Sequence, residues 1–213
     1  MVPDDADPSL NNMRLKETFN TGTRMVSWTF PYRFDCGGCH TAEAGGTLGP
    51  ETRQMNRTVG GTNQIDKWAA MNLFETAPAK PYQAALVLPY DGQLGRVPAG
   101  ATIEQRARSY MHANCSYCHR PDGQAVNWLD FRYDTTLKNT GACGVVPMKS
   151  TVGVDGALIL KPGMPMQSTI WLRMHAPWTG DKTRMPQLAT YVIDDKGTQL
   201  VSDWITSITA CPP

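Results

Sequence analysis

The chain has 213 residues, of which 41% are hydrophobic and 18% charged, and its formal net charge is +1 at neutral pH. So balanced a composition excludes a strongly basic nucleic-acid footprint and gives no drive toward an acidic membrane surface. No run of about 18 apolar residues is present to cross a bilayer, and the length supports one sizeable core or two small ones.

The opening Met1-Val2-Pro3-Asp4-Asp5 is acidic and lacks the apolar centre of a signal peptide, and residues 1–24 read as an irregular polar lead-in. From Arg24 to Phe34, Met25, Trp28, Phe30, Tyr32 and Phe34 alternate loosely, which predicts extended chain entering Cys36-Gly37-Gly38-Cys39-His40. Ile65, Trp68, Ala69 and Leu73 have helical spacing within Gln64 to Glu75. Prolines and glycines dominate from Ala77 to Gly100 and mark a linker. Thr102 can cap a helix whose stripe is Ile103, Ala107, Tyr110 and Met111, and this helix runs straight into Cys115-Ser116-Tyr117-Cys118-His119. Turn signals follow at Pro121-Asp122-Gly123 and Pro162-Gly163, with a short helix from Thr169 to His175. Asp194 or Asp195 caps a last helix with Leu200, Val201, Trp204, Ile205 and Ile208 on one face.

The chain thus writes Cys-x-x-Cys-His twice, using four of its six cysteines and two of its four histidines. This is the attachment signature of a c-type haem: the thiols join the haem vinyl groups and the imidazole is the proximal iron ligand. Zinc binding would want a second ligand pair at close spacing, and dithiol redox chemistry a βαβ context; neither pattern is visible. Two covalently bound c-type haems are therefore expected, held by Cys36, Cys39 and His40 and by Cys115, Cys118 and His119. The sequence divides into a lead-in (1–24), a first haem-binding module (25–76), a linker (77–101) and a second haem-binding module (102–213). A helix, haem motif, loops, methionine and final helix predict a mainly α chain with long irregular loops, cytochrome c-like, in two haem-binding modules.

Cys143 and Cys211 remain after the motifs, an even pair expected to form a disulfide in an oxidising compartment. Haem attachment to this motif takes place outside the cytoplasmic membrane, so a periplasmic or extracellular location is expected. The expectation includes a leader already removed or a longer parent protein.

Ala107 to Ile208 resembles the haem-binding part of a family of bacterial secreted dihaem c-type cytochromes and is similar to planctomycete-type cytochrome c domains. The resemblance rests on Arg106-Ala107-Arg108-Ser109-Tyr110 leading into Asn114 to Pro121, on Leu129-Asp130-Phe131-Arg132-Tyr133-Asp134, and on Lys161-Pro162-Gly163. Trp171-Leu172-Arg173-Met174, Arg184-Met185-Pro186-Gln187-Leu188 and Ser202-Asp203-Trp204-Ile205 continue it. Leu48 to Arg57 and Gly60 to Ile65 extend it around the first motif.

The sixth ligand decides between a closed electron carrier and an open reactive site. Met185, in the loop before the last helix and followed by Pro186, is expected at the second haem, and the resemblance implies the same position. For the first haem Met55 is the leading candidate; Met71, Met174, His112 and His175 stay open. Tyr117 and Trp128 are expected to pack on the haem. Arg132, Arg173 and Arg184 are either propionate partners or surface arginines. The expected function is electron transfer between redox protein partners outside the cytoplasm, either alone or as a subunit or domain of a larger complex. The alternative is a dihaem peroxidase- or oxygenase-type enzyme with one open distal site.

Overall fold

In a computed structural model the described residues are 14–19, 24–29, 33–90, 100–125, 128–177, 183–188, 190 and 192–213. Most of the lead-in (1–13 and 20–23), the alternating residues Phe30 and Tyr32, and 91–99 of the linker lie outside them.

Strands β1 (Arg14–Phe19) and β2 (Arg24–Thr29) pair antiparallel, with Arg14 opposite Thr29 and Phe19 opposite Arg24. β1 therefore occupies part of the stretch read as irregular. Helix α1 (Arg33–Gly37) follows, so a short helix rather than extended chain carries Cys36. Next come α2 (Thr52–Met55), the small antiparallel pair β3 (Thr58–Val59) and β4 (Thr62–Asn63), and α3 (Gln64–Ala70). The Asn63 side chain accepts from the Ile65 N–H at 2.9 Å and so satisfies an N-terminal amide of α3.

Helix α4 (Ile103–Cys115) starts on a full capping box. The Gln105 N–H donates to Thr102 Oγ1 at 3.1 Å, and the Thr102 N–H donates to Gln105 Oε1 at 3.0 Å. After a long irregular stretch come α5 (Thr169–His175) and α6 (Asp195–Ser207), the latter capped by Asp194, which accepts from the Gly197 N–H at 2.9 Å. α4 packs on α6, and α5 packs on α6. At the α4–α6 crossing the Tyr110 ring lies directly over Gly197, where a Cβ would come within 2.2 Å of a ring carbon; only glycine permits that approach.

The core gathers Ala107, Tyr110 and Met111 of α4, Met174 of α5, and Leu200, Val201, Trp204 and Ile205 of α6. Leu129, Phe131, Ala142, Ile159 and Leu160 complete it from the irregular segments. The earlier half buries far less: Ala44, Met55, Ile65 and Leu86 are its buried apolar residues among those described.

The expectation of a mainly α, cytochrome c-like chain in two haem-binding modules is not what this chain builds. Of the six described helices, α1, α2, α3 and α5 have 5, 4, 7 and 7 residues, and two small antiparallel pairs stand among them. The physical reason lies in the 19 glycines and 16 prolines. They favour turns over helix propagation, and short helices survive only where tertiary packing holds them. The segments around the two motifs are also bonded to each other, as the site geometry makes plain.

Among the described residues no helix is long and apolar enough to cross a membrane. Cys143 and Cys211 are joined, with an S–S distance of 2.06 Å across a separation of 68 residues. That pair is compatible with an extracellular location.

Candidate functional site

The two motifs form the same backbone turn. In the first, the Cys39 and His40 N–H groups both donate to the Cys36 carbonyl, at 3.1 and 2.8 Å. In the second, the Cys118 and His119 N–H groups donate to the Cys115 carbonyl, at 3.2 and 2.9 Å. One helical turn of this kind sets the backbone positions i, i+3 and i+4 on one face, although among the described residues their side chains do not converge into a metal-holding group. α4 delivers the second turn at its C-terminal end; α1 delivers the first.

The histidines differ in setting. His40 is exposed, and its Nδ1–H donates to the Gly46 carbonyl at 2.7 Å. A carbonyl can only accept, so the proton resides on Nδ1 and the Nε2 lone pair is left for a metal. His119 is half-buried, with its ring tilted against Phe131 at a centroid distance of 5.1 Å. Burial, with a smaller push from the Arg173 charge, lowers its pKa to about 4 and keeps the imidazole neutral. His119 Nδ1 is buried without a hydrogen-bond partner, so no acceptor orients this ring as the Gly46 carbonyl orients His40.

The two turns touch. Cys118 Sγ lies 3.9 Å from Cys39 Sγ and 4.0 Å from the Gly38 carbonyl. The thiol hydrogen bond from Cys118 pulls the Cys39 thiol down to about 6. The same contact, with burial, pushes Cys118 up. Burial alone raises Cys115 to about 12.

Polar clamps hold this contact. Arg120, next to the second motif, donates from Nε to the Ser116 carbonyl and from Nη1 to the Glu43 carbonyl, each at 2.6 Å. Its guanidinium also lies 5.9 Å from the Tyr117 ring centroid. Arg53 pairs with Asp134 at 2.6 Å and stacks over Tyr133 at 5.0 Å. Glu51 accepts from His112 Nε2 at 2.8 Å, while the Tyr133 N–H donates to His112 Nδ1 at 3.1 Å. Gly49, at φ 120°, lets the chain pass under Tyr117, whose hydroxyl would lie 2.9 Å from a Cβ there.

The remaining sequence candidates scatter. His112 is buried with both ring nitrogens engaged, which removes it from the ligand candidates. Met174 belongs to the hydrophobic core. Met71 is 58% exposed just beyond α3, and exposed His175 stacks on Trp171 at 4.7 Å. Met55 is buried on α2. Met185 is half-buried, and its N–H donates at 3.0 Å to the carbonyl of Arg173, the residue whose charge acts on His119.

Tyr117 is buried, whereas Trp128 is exposed. Arg132 is bound to Asp130 at 2.6 Å. Buried Arg184 donates to the Ala176 and Val192 carbonyls and to Thr190 Oγ1. Its guanidinium is thus spent on the loop that carries Met185. Sequence reasoning missed the roles of Arg120 and Glu51; the only local signal for Arg120 was its position directly after the motif.

A cavity of about 350 Å³ lies by α5, lined by Trp171, Leu172, His175 and Thr183 among others, and no motif residue lines it. Among the described residues no three His, Cys, Asp or Glu side chains converge to cage a bare metal ion. The donor chemistry is instead two sets of paired thiols with one imidazole each. Their residue types and spacing are those that covalent haem attachment asks of a chain, two thiols and an imidazole within one backbone turn. Comparison with protein-family models, with curated proteins and with solved structures found no match to the chain.

Proposed function

We propose that the chain is a dihaem c-type cytochrome that passes electrons between protein partners outside the cytoplasm. The observation that carries this reading is the repeated backbone turn, whose first, fourth and fifth positions are cysteine, cysteine and histidine at both motifs. Attachment would join each thiol to a haem vinyl group, sulfur to one carbon and the thiol hydrogen to the other, and so would need no electron acceptor. Cys36 and Cys39 would hold one haem and Cys115 and Cys118 the other, with His40 and His119 supplying the imidazoles for the irons. Bound there, each haem supplies a one-electron iron couple.

The chain's own contribution is position and environment. The Gly46 carbonyl orients His40 and leaves Nε2 to bind. Burial keeps His119 unprotonated, so no proton competes with a metal at that ring. Met185 is the proposed distal ligand of the second haem and Met55 that of the first.

Pyridine haemochrome absorbance with denaturing mass spectrometry on the protein matured in a c-type haem-attaching host tests the reading. Two covalent haems per chain are expected, and one or none would sink it. Met185→Ala should abolish the methionine–iron charge-transfer band of one haem and lower its potential. Unchanged spectra would remove Met185 from the role.

A further inference from the structure

Cys39 and Cys118 come from motifs far apart in sequence, yet their sulfurs are 3.9 Å apart. This contact is supported from several directions. Arg120 ties the second motif to the Glu43 carbonyl, His112 to Glu51 ties α4 to the start of α2, and Arg53 to Asp134 adds a third strap. Gly49 admits the close approach under Tyr117. Attachment would remove the thiol hydrogen bond itself, and these straps are what would keep the two segments side by side.

We propose that Cys39 and Cys118 attach their haems as immediate neighbours, so that the two motifs form one joint site and the chain works as a coupled pair rather than as two independent carriers. The proposal rests on the dihaem reading and deepens it. Thioether bonds from these two sulfurs would hold the two haems against one shared stretch of chain. Held there, the two haems would supply a pair of neighbouring one-electron couples that a partner docked at either motif would reach. The half-buried second motif and the exposed His40 suit that division, with one end sheltered and the other open to a partner.

Soret circular dichroism of the matured, full-length protein tests this, read alongside the haem count by denaturing mass spectrometry. Two neighbouring haems should give a bisignate couplet in the native state. Unfolding in guanidinium leaves both haems covalently attached, and the couplet should vanish, the molecule serving as its own reference. The native spectrum should also differ by that couplet from the summed spectra of Cys36→Ala/Cys39→Ala and Cys115→Ala/Cys118→Ala. Two haems with a single-signed native band overturn the proposal and leave the dihaem reading standing. Fewer than two haems, or a Cys39–Cys118 disulfide in peptide maps of the matured protein, overturns both.

Discussion

His40 and His119 end the same backbone turn, but they stand on different foundations. His119 follows a 13-residue helix whose apolar face meets a second 13-residue helix in a core containing Trp204, Ile205 and Val201. His40 follows a five-residue helix, is itself exposed, and lies in a half with few buried apolar residues among those described. What steadies the first motif is a set of polar straps to the second: Arg120 to Glu43, His112 to Glu51 and Arg53 to Asp134. Burying a large apolar side chain stabilises a fold more than one such strap, which adds about 1 kcal/mol. The later half should therefore hold its shape alone, while the earlier half borrows its order.

The largest blow to that asymmetry is Trp204→Ala, which empties a site 1% exposed at the middle of the α4–α6 core. A loss of about 3–5 kcal/mol is expected, read by urea denaturation, with both halves melting together. A transition that spares the earlier half would refute its dependence. Replacing Cys143 and Cys211 by serine opens a link of 68 residues within the later half. The expected cost is about 2–4 kcal/mol, and alkylation without reduction should leave both cysteines of the parent protein unlabelled.

Gly197→Ala sets a methyl against the Tyr110 ring and should cost about 1–3 kcal/mol, again measured by denaturation. Gly197→Ser should be no better, because the clash is steric.

Glu51→Gln strikes the strap itself, and a loss of about 1 kcal/mol is expected, with faster hydrogen exchange confined to the earlier half. The hydrogen bond from His112 holds the Glu51 carboxyl below the ordinary glutamate range, with nearby Arg120 and Arg53 charges assisting. Because the folded-state pKa is depressed, the contribution is complete above the unfolded value of about 4.3. It is lost as pH falls from there through the folded value. Glu51→Gln should flatten the acid limb of the stability curve by that contribution; an unchanged limb would show that the strap carries no weight.

Several features were legible in the sequence because they depend on neighbours within about four residues. The Thr102 cap, the α6 cap read as Asp194 or Asp195 and found at Asp194, the α5 limits and the apolar stripe of α6 all belong to this class. Periodicity also placed α3, although the helix stops at Ala70 rather than running to Glu75. The strand β1 escaped notice because pairing with β2, not local pattern, defines it.

By itself, then, the sequence determined the two chemical motifs, the helices that flank the second one, and the cysteines left over to pair. Only the tertiary structure decided that the motifs meet at 3.9 Å, that His112 is consumed by Glu51 and Tyr133, that Met174 is core, and that Arg184 braces a loop. The reason is range. A cap, a turn or a Cys-x-x-Cys-His face is set by backbone geometry over one helical turn. A contact between residues 39 and 118 depends on how the intervening chain folds back, which the packing of distant segments resolves and no local pattern encodes.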